Sequence, residues 1–489
     1  MKKLFLLLLI SAALGEGLAA KPNVVFILAD DLGYSELGSY GQAKIRTPRL
    51  DGLAKQGMRF TRNYSGNAVC APSRCVLMTG KHPGHAYIRN NSEVKPEGQR
   101  PIPGSEVTLA EYLKGQGYVT GAFGKWGLGA PGTEGDPNHQ GFDHFFGYNC
   151  QRHAHSYYPN YLWKNQERIP LKNEPPVPGH ASLAPGADSS DPRSYDRFKG
   201  TDYAPDRINE AALSFVRENK DRPFFLYYPT VIPHVALHVP DEDLKPYTDL
   251  GWNDPPFVRA RGYGYTPHFT PRAAYAAMIT RLDRYVGRLL DLLDELDLAK
   301  DTIVVFTSDN GTTHLGAEVD YDFFKSVGSL RGLKGSLYEG GVRVPLIVRW
   351  PGKVRAGSVS EFVTGFEDWI PTLSEAVGGQ STGVARLDGV SLLPTLLGRE
   401  QAPRDFLYRE FSGYGGQQAI WFGPWKAVRQ GMLRKQNTTP LTIQLFHLGT
   451  DDGERDDLAT IYPDIVQAAE TIFQREHSPS SLFPFPPID

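Results

Sequence analysis

Two adjacent acids, Asp30 and Asp31, end the apolar run PNVVFILADD, and an acid with an amide, Asp309 and Asn310, ends DTIVVFTSDNG. Gly124-Lys125-Trp126 follows YVTGAF, His234 follows PFFLYYPTVIP, and Cys70 and Arg74 share the stretch NAVCAPSRCVLMTG. Three carboxylates and a carboxamide are hard oxygen donors with no imidazole among them, a set that suits calcium or magnesium and disfavours zinc. Carboxylates buried together without a cation are costly or take up protons, and a divalent ion is the simplest remedy. Cys70, in a short polar turn beside an arginine, has four readings: half of a disulfide, a nucleophile, a metal ligand, or the precursor of another group. Singly, each residue has an ordinary explanation, since acids cap helices, lysines face water and a lone histidine usually satisfies a neighbour. The coincidence at the ends of several strands is harder to explain that way.

Those strands must come first. PNVVFILADD is a continuous apolar run, the pattern of a strand buried on both faces. YVTGAFGKW, PFFLYYPTVIPH, DTIVVFTSDNG and VPLIVRW read as further strands. Between them the spacing predicts helices: one from Thr47-Pro48 with Leu50, Leu53 and Ala54 on one side, and one over TLAEYLKGQG with Thr108 and Glu111 at capping-box spacing. RINEAALSFVREN (207–219) and a long segment from Pro271 to Leu298 complete the set, the latter with Met278, Leu282, Tyr285, Leu289, Leu293 and Leu296 on one stripe. Helices alternating with apolar strands predict an α/β fold, a large, mostly parallel sheet covered on both faces. In such sheets ligands bind beyond the carboxyl ends of the strands, where the polar residues above stand. Pro/Gly-rich stretches at 165–205 and 249–270 read as long loops. After Gly398 the pattern changes to short strands, DFLYREF, QAIWFG, WKAVRQ and TIQLFHL, and a helix over 461–475, a small α+β unit.

Composition bounds the rest. The 489 residues, 40% hydrophobic and 22% charged, suffice for one large core with a smaller companion. A net charge of −3 argues against a nucleic-acid partner. MKKLFLLLLISAALGEGLAA, residues 1–20, has the lysines, short apolar run and small-residue end of a signal peptide, and no later segment is apolar enough to span a bilayer. The expectation is an exported, soluble protein, periplasmic or extracellular. Three cysteines, Cys70, Cys75 and Cys150, leave at least one unpaired in an oxidising compartment. Spacing alone favours a Cys70–Cys75 disulfide.

The string Cys-x-Pro-Ser-Arg-x-x-x-x-Thr-Gly, from Cys70 to Gly80, resembles the signature of the type I, formylglycine-dependent sulfatases. The likeness runs through Asp30-Asp31, GKWGLG, PHVALHVP, SDNG, LKGSLYEGGVRVP and LFHLGTDDGERDDLA, and leans to the arylsulfatase and N-acetylgalactosamine-sulfatase branch. It implies an alkaline-phosphatase-like fold, with a catalytic domain over 21–400 and a small C-terminal α+β subdomain over 401–489. It also implies that a formylglycine-generating maturation enzyme converts Cys70 to 3-oxoalanine. One calcium would be held by Asp30, Asp31, Asp309, Asn310 and residue 70. Arg74, Lys125, His234 and Lys334 resemble the sulfate-binding and proton-transfer residues, with His234 or Lys334 protonating the leaving oxygen. The chemistry agrees: a thiolate is a soft ligand in a hard site, whereas an aldehyde hydrate brings one hydroxyl to attack sulfur and a second to release sulfate.

One departure stands out. The family commonly has GKWHLG, and this chain has Gly127 in place of the histidine. In QRHAHSYYPNYLW, His153 and His155 would share a side if extended. They are candidates to replace the missing base or to grip sugar hydroxyls, and Tyr157, Tyr158 and Trp163 to stack on sugar faces. The expected substrate is a sulfate ester, a sulfated galactose or N-acetylgalactosamine before an aryl sulfate. Two rivals are a phosphomonoester or phosphodiester hydrolase of the same superfamily, and a non-catalytic binder of sulfated glycans with a decayed site. The intact cysteine motif and hard single-ion set oppose the first, and the filled polar positions oppose the second.

Overall fold

The computed structural model describes residues 21–95, 97–259, 264–379, 386–433 and 441–489. The expected signal peptide, residues 1–20, lies outside the described residues. Ten strands form the main sheet: β1 (Asn23–Ala29), β2 (Met58–Phe60), β3 (Val119–Lys125), β4 (His144–Tyr148), β5 (Tyr161–Lys164), β6 (Glu167–Pro170), β7 (Phe224–Pro229), β8 (Thr302–Ser308), β9 (Leu346–Arg349) and β10 (Ser358–Ser360). Their spatial order is β10-β2-β9-β8-β1-β7-β3-β4-β5-β6, and the central run from β8 to β4 is parallel.

β1 shows why its sequence carries no polar alternation. Val24, Phe26 and Leu28 enter one core, Val25, Ile27 and Ala29 the other. The first core is closed by α2 (Cys70–Thr79), α3 (Leu109–Gly115) and α6 (Trp369–Ala376). The second is closed by α1 (Pro48–Gln56), α4 (Ala204–Glu218) and α5 (Pro271–Glu295), whose Met278, Leu282, Tyr285, Leu289 and Leu293 are all buried. The Thr108–Glu111 capping box opens α3: the Thr108 hydroxyl accepts from the Glu111 amide at 3.1 Å, and the Glu111 carboxylate accepts from the Thr108 amide at 2.8 Å.

Three features differ from expectation. β9, within VPLIVRW, is antiparallel to β8. The chain between them stays at the carboxyl edge of the sheet and re-enters from that edge, with no crossover helix to reverse it. The 165–205 stretch contains β6, paired with β5 in a hairpin whose turn places Asn165 at φ +52°. The NAVCAPSRC stretch is not a polar turn, because α2 begins at Cys70 and every residue of it is buried. Pro72 is tolerated in the first turn, where its missing N–H costs no helical bond. Gly80 ends the helix at φ +66°, its amide donating to the Val76 carbonyl.

The C-terminal sheet, β11 (Leu407–Phe411), β12 (Gln417–Phe422), β13 (Trp425–Gln430) and β14 (Gln444–His447), is an antiparallel meander. Leu407, Phe411, Trp421 and Val428 pack on Tyr64, Val69, Leu337 and Val342, beside Cys70. Tyr408, Ile420, Ala427 and Leu445 pack instead on Ala469 and Phe473 of α7 (Pro463–Glu476). Polar bonds tie this sheet to the loop that delivers Cys70: Arg409 donates to the Ser65 carbonyl at 2.7 Å, and Asn67 to the Glu410 carbonyl at 3.0 Å. Arg409 also makes a two-pronged pair with Glu367, at 2.8 and 2.9 Å, both side chains buried. Arg409→Ala strands the Glu367 carboxylate in the core and is expected to cost about 3–5 kcal/mol, read as a lower urea midpoint. An unchanged midpoint contradicts this anchoring role. No helix among the described residues is long and apolar enough to cross a membrane.

Candidate active site

Strand register brings the acids together. Ala29 of β1 pairs with Ser308 of β8, and the Asp309 amide donates to the Ala29 carbonyl at 3.0 Å, so Asp30-Asp31 and Asp309-Asn310 leave the sheet side by side. Asp31 sits at φ +65°, a left-handed turn that is uncommon outside glycine and often marks a functional site. Lys125 closes β3, His234 lies in the turn after β7, and Lys334 comes from the segment between β8 and β9. α2 presents Cys70 and, one turn later, Arg74.

The contacts form one buried network. Cys70 Sγ lies 3.6 Å from Asp30 Oδ1, 3.6 Å from Lys125 Nζ and 3.7 Å from Lys334 Nζ. Lys125 donates to Asp30 at 2.7 Å and Lys334 to Asp31 at 2.8 Å. Arg74 donates through Nε and Nη2 to Asp309 Oδ2, at 3.0 and 2.7 Å, and also to the Lys125 carbonyl. The Asp31 amide donates to Asp309 Oδ1 at 3.2 Å, and Asn310 Nδ2 donates to Asp31 Oδ1 at 2.7 Å. His234 Nε2 stands 3.6 Å from Asp31 Oδ2, while its Nδ1 side bonds the Val235 carbonyl. All the site residues expected from the sequence except His153 therefore belong to this constellation or to its wall.

Protonation follows from burial and these partners. Burial pushes Asp30 up, but Lys125, His234, Arg74 and Lys334 together pull it below the usual carboxylate range. Asp309 is pushed up to about 6 by burial and by Asp30. Burial drives the Cys70 thiol up to about 12 in spite of Lys125 and Lys334. Burial and Lys334 lower His234 to about 4.

Two observations bear on a metal. Asp30, Asp31, Cys70 and His234 each offer a ligand atom within 4.8 Å of the others, so the cluster is close enough to hold an ion. Asn310 Oδ1, on the residue that bonds Asp31, is buried with no hydrogen-bond partner, an acceptor the protein itself leaves unused. The hard-donor set with an orphaned amide oxygen fits calcium. The expectation that buried acids demand an ion is met in part by the protein, since three cationic side chains, Arg74, Lys125 and Lys334, already balance three carboxylates. A divalent cation added to that balance leaves the site net positive, which favours an anionic ligand.

The Cys70 wall encloses a cavity of about 310 Å³, lined by Asp31, Gln151, His155, His234 and Lys334 among others. Gln151 was not singled out by the sequence. Gly127 sits at φ +86°, and a Cβ there would meet Gln151 Nε2 at 2.9 Å, so the glutamine fills the room the glycine leaves. Gln151 is 6% exposed and its Nε2 has no partner, a buried donor at the cavity wall. The only signal in the sequence was the glycine in GKWGLG.

His153 and His155 do not share a side. They lie in one turn of 3-10 helix, Cys150 to Ser156 winding rather than extending, and period three sends them apart. His153 faces Glu97, Tyr148 and Tyr161, away from Cys70. His155 stacks on His234, ring centroids 5.0 Å apart and nearly parallel. His180 donates its Nδ1 proton to the Gly264 carbonyl, so its Nε2 accepts from His155 Nδ1 at 2.9 Å, which leaves His155 Nε2 an acceptor for the Tyr265 hydroxyl. Tyr157 and Tyr158 are buried and Trp163 donates to Glu97 at 2.9 Å; none lines the cavity, so they offer no platform for a sugar. All three cysteines are free, and Cys75 packs in the apolar core, which overturns the Cys70–Cys75 disulfide.

Known proteins resemble this chain in sequence and in fold. The sulfatase family profile matches residues 22–379. Arylsulfatase A of Bos taurus is 32% identical, the alignment covering 95% of this chain and 89% of that protein. N-acetylgalactosamine-6-sulfatase of Canis lupus familiaris is 30% identical over 96% of this chain and 89% of its own. The crystal structure of Ps i-CgsB in complex with k-i-k-neocarrahexaose superposes with a TM-score of 0.71 at 27% identity, covering 92% of each chain. With an alkaline-phosphatase-like sheet, a smaller C-terminal sheet and relatives aligned over 95–96% of its length, this chain belongs to the sulfatase family, enzymes that hydrolyse sulfuric esters.

Proposed function

We propose that this protein is an exported, calcium-dependent sulfatase that works through formylglycine at residue 70 and removes sulfate from a sulfated sugar, with galactose or N-acetylgalactosamine as the favoured class. The observation that carries this is the position of Cys70: Sγ, at the first residue of a buried helix, is ringed by Asp30, Lys125 and Lys334 at 3.6–3.7 Å. The relatives whose names specify N-acetylgalactosamine-6-sulfatase, and the one solved with a neocarrahexaose, support the sugar class. Residues 21–400 form the catalytic domain in this reading, and 401–489 the subdomain that braces the Cys70 loop.

Conversion of Cys70 by a formylglycine-generating enzyme supplies a hydrated aldehyde, with one hydroxyl to attack sulfur and another to release sulfate. Calcium, held by Asp30, Asp31, Asp309, Asn310 and residue 70, supplies positive charge for the oxygens gathered there. The protein's own groups do the rest. Arg74, fixed by its two bonds to Asp309, orients residue 70. Lys125 and Lys334 flank it, where they stabilise negative charge that builds on the sulfate oxygens. His155 and Gln151 wall the substrate side, and Gln151 gives a neutral donor where the family commonly has an imidazole.

The leaving alkoxide needs a proton: Lys334 carries one beside Asp31, and His234, neutral in the free enzyme through burial and Lys334, delivers one only once the bound anion has charged it. If His234 is the donor, His234→Ala lowers turnover of alkyl sulfates by on the order of 10²–10³ and that of an activated aryl sulfate far less. Equal losses on both reassign the proton to Lys334. The overall reading is tested with matured protein on 4-nitrophenyl sulfate against 4-nitrophenyl phosphate. Preference for the sulfate supports it; preference for the phosphate replaces it with the phosphatase reading.

A further inference from the structure

Close to the three acids of the site stands a fourth, Glu36, wholly buried and not part of the cavity wall. Only neutral donors meet its carboxylate. Oε2 accepts from the Gly33 amide at 2.6 Å, and Oε1 from the Tyr275 hydroxyl at 2.7 Å and the Thr312 hydroxyl at 3.2 Å. The two hydroxyls also bond each other, at 3.1 Å. Burial pushes this carboxyl up to about 7, against the bonds from Tyr275, Gly33 and Thr312. A carboxyl with no cation opposite it is a costly way to fill a core, and its partners show what it holds.

Each partner belongs to a piece of the site. Gly33 follows Asp31 by two residues, in the turn that puts Asp31 at φ +65°. Thr312 follows Asn310 by two residues, and its carbonyl accepts from the Lys334 amide at 2.9 Å. Tyr275 lies on α5, the long helix that closes the second core. One carboxyl thus joins both turns that offer oxygen donors, the segment that brings Lys334, and a rigid helix. The turns have one other tie: the Leu32 amide donates to Ser308 Oγ at 2.8 Å, and Ser308 Oγ to the Asn310 carbonyl at 3.0 Å. That tie acts at the end of β8, where the β1–β8 ladder already fixes the register. Glu36 acts further along, where the chain has left the sheet.

We propose that Glu36 is a positioning residue of the metal centre, holding the Asp30-Asp31 and Asp309-Asn310 turns at the separation at which their oxygens converge on one cation. The proposal rests on the calcium reading of that centre. Groups that orient metal ligands without touching the ion commonly set affinity by about 10–100-fold. The network uses the shape of Glu36 more than its charge: Gly33 requires one acceptor, whereas both hydroxyls can accept as well as donate. A glutamine in its place can turn its oxygen to Gly33 and its NH2 to the hydroxyls.

The test uses full-length matured protein, freed of metal by chelation and titrated with calcium in a calorimeter. Glu36→Ala is expected to bind calcium about tenfold or more weakly than the wild type, and Glu36→Gln to recover most of the loss. Excess calcium should restore most of kcat on 4-nitrophenyl sulfate in Glu36→Ala and leave KM unchanged, which a general loosening of the fold would not allow. Should Glu36→Ala fail to fold, Tyr275→Phe combined with Thr312→Val removes two donors at nearly constant volume. That double variant is expected to bind calcium about threefold or more weakly. Wild-type calcium affinity in folded Glu36→Ala or in the double variant overturns the proposal, as does a loss of kcat in Glu36→Ala that excess calcium leaves unchanged. A wild type that takes up no calcium, with turnover lost in Glu36→Ala and regained in Glu36→Gln, overturns the calcium reading instead and leaves Glu36 as the residue that sets the turns.

Discussion

Cys70→Ala is expected to abolish sulfate-ester turnover, a loss on the order of 10⁴-fold or more, the scale seen when a covalent nucleophile is removed. The fold should survive it. Sγ makes its contacts with Asp30, Lys125 and Lys334, while the helix it begins is held by Cys75, Val76, Leu77 and Met78 in the apolar core. Unchanged near-UV circular dichroism and a melting temperature within a few degrees of wild type would separate loss of chemistry from loss of structure. Appreciable turnover by the folded variant would show that the reaction runs without residue 70. It would point instead to water activated by Lys125, Lys334 and the metal without residue 70.

Asp309→Ala is expected to be nearly as severe, for two coupled reasons. Its Oδ2 receives both donors from Arg74 and its Oδ1 the Asp31 amide, so its removal frees a buried guanidinium and loosens the turn that carries Asp31. A buried charge stripped of its partner costs about 3–5 kcal/mol, and the oxygen set for calcium loses a member. Purified wild type should carry one calcium per chain by elemental analysis, and the variant little. Chelation followed by calcium should remove and restore wild-type activity. Asp309→Asn, which keeps the shape, should fold better than the alanine variant and still bind calcium weakly. Stoichiometric zinc in active wild type would contradict the assignment.

Much of this site was legible in the sequence because parallel strands advertise themselves. β1, β7 and β8 are buried on both faces, so their residues are apolar without alternation, and the first polar residues after them stand at the same edge. Asp30, Asp31, His234, Asp309 and Asn310 were readable for that reason. Lys334 was readable only through resemblance, since it comes from irregular chain between β8 and β9. What failed were readings that depended on local geometry. The period-two placement of His153 and His155 presumed an extended chain, and a single turn of 3-10 helix divided them. Tyr157 looked available for sugar, yet its hydroxyl donates to the Val231 and His234 carbonyls from inside the core. Gln151, Tyr265 and Tyr414 lie in loops with no motif, and only the tertiary fold brings them to the cavity. The short edge strands went unread because three or four residues carry too little pattern, although Asn165 at the turn of the β5–β6 hairpin was a signal of the kind that marks such turns.

The chemical identity of residue 70 in the working enzyme decides the mechanism. Mass spectrometry of the tryptic peptide spanning residues 63–74, from preparations of graded activity, measures this directly. Conversion of the thiol to the aldehyde lowers the peptide mass by about 18 Da, and turnover per chain should rise in proportion to the converted fraction, extrapolating to zero where none is converted. Full activity from protein in which Cys70 is wholly unmodified would contradict the account.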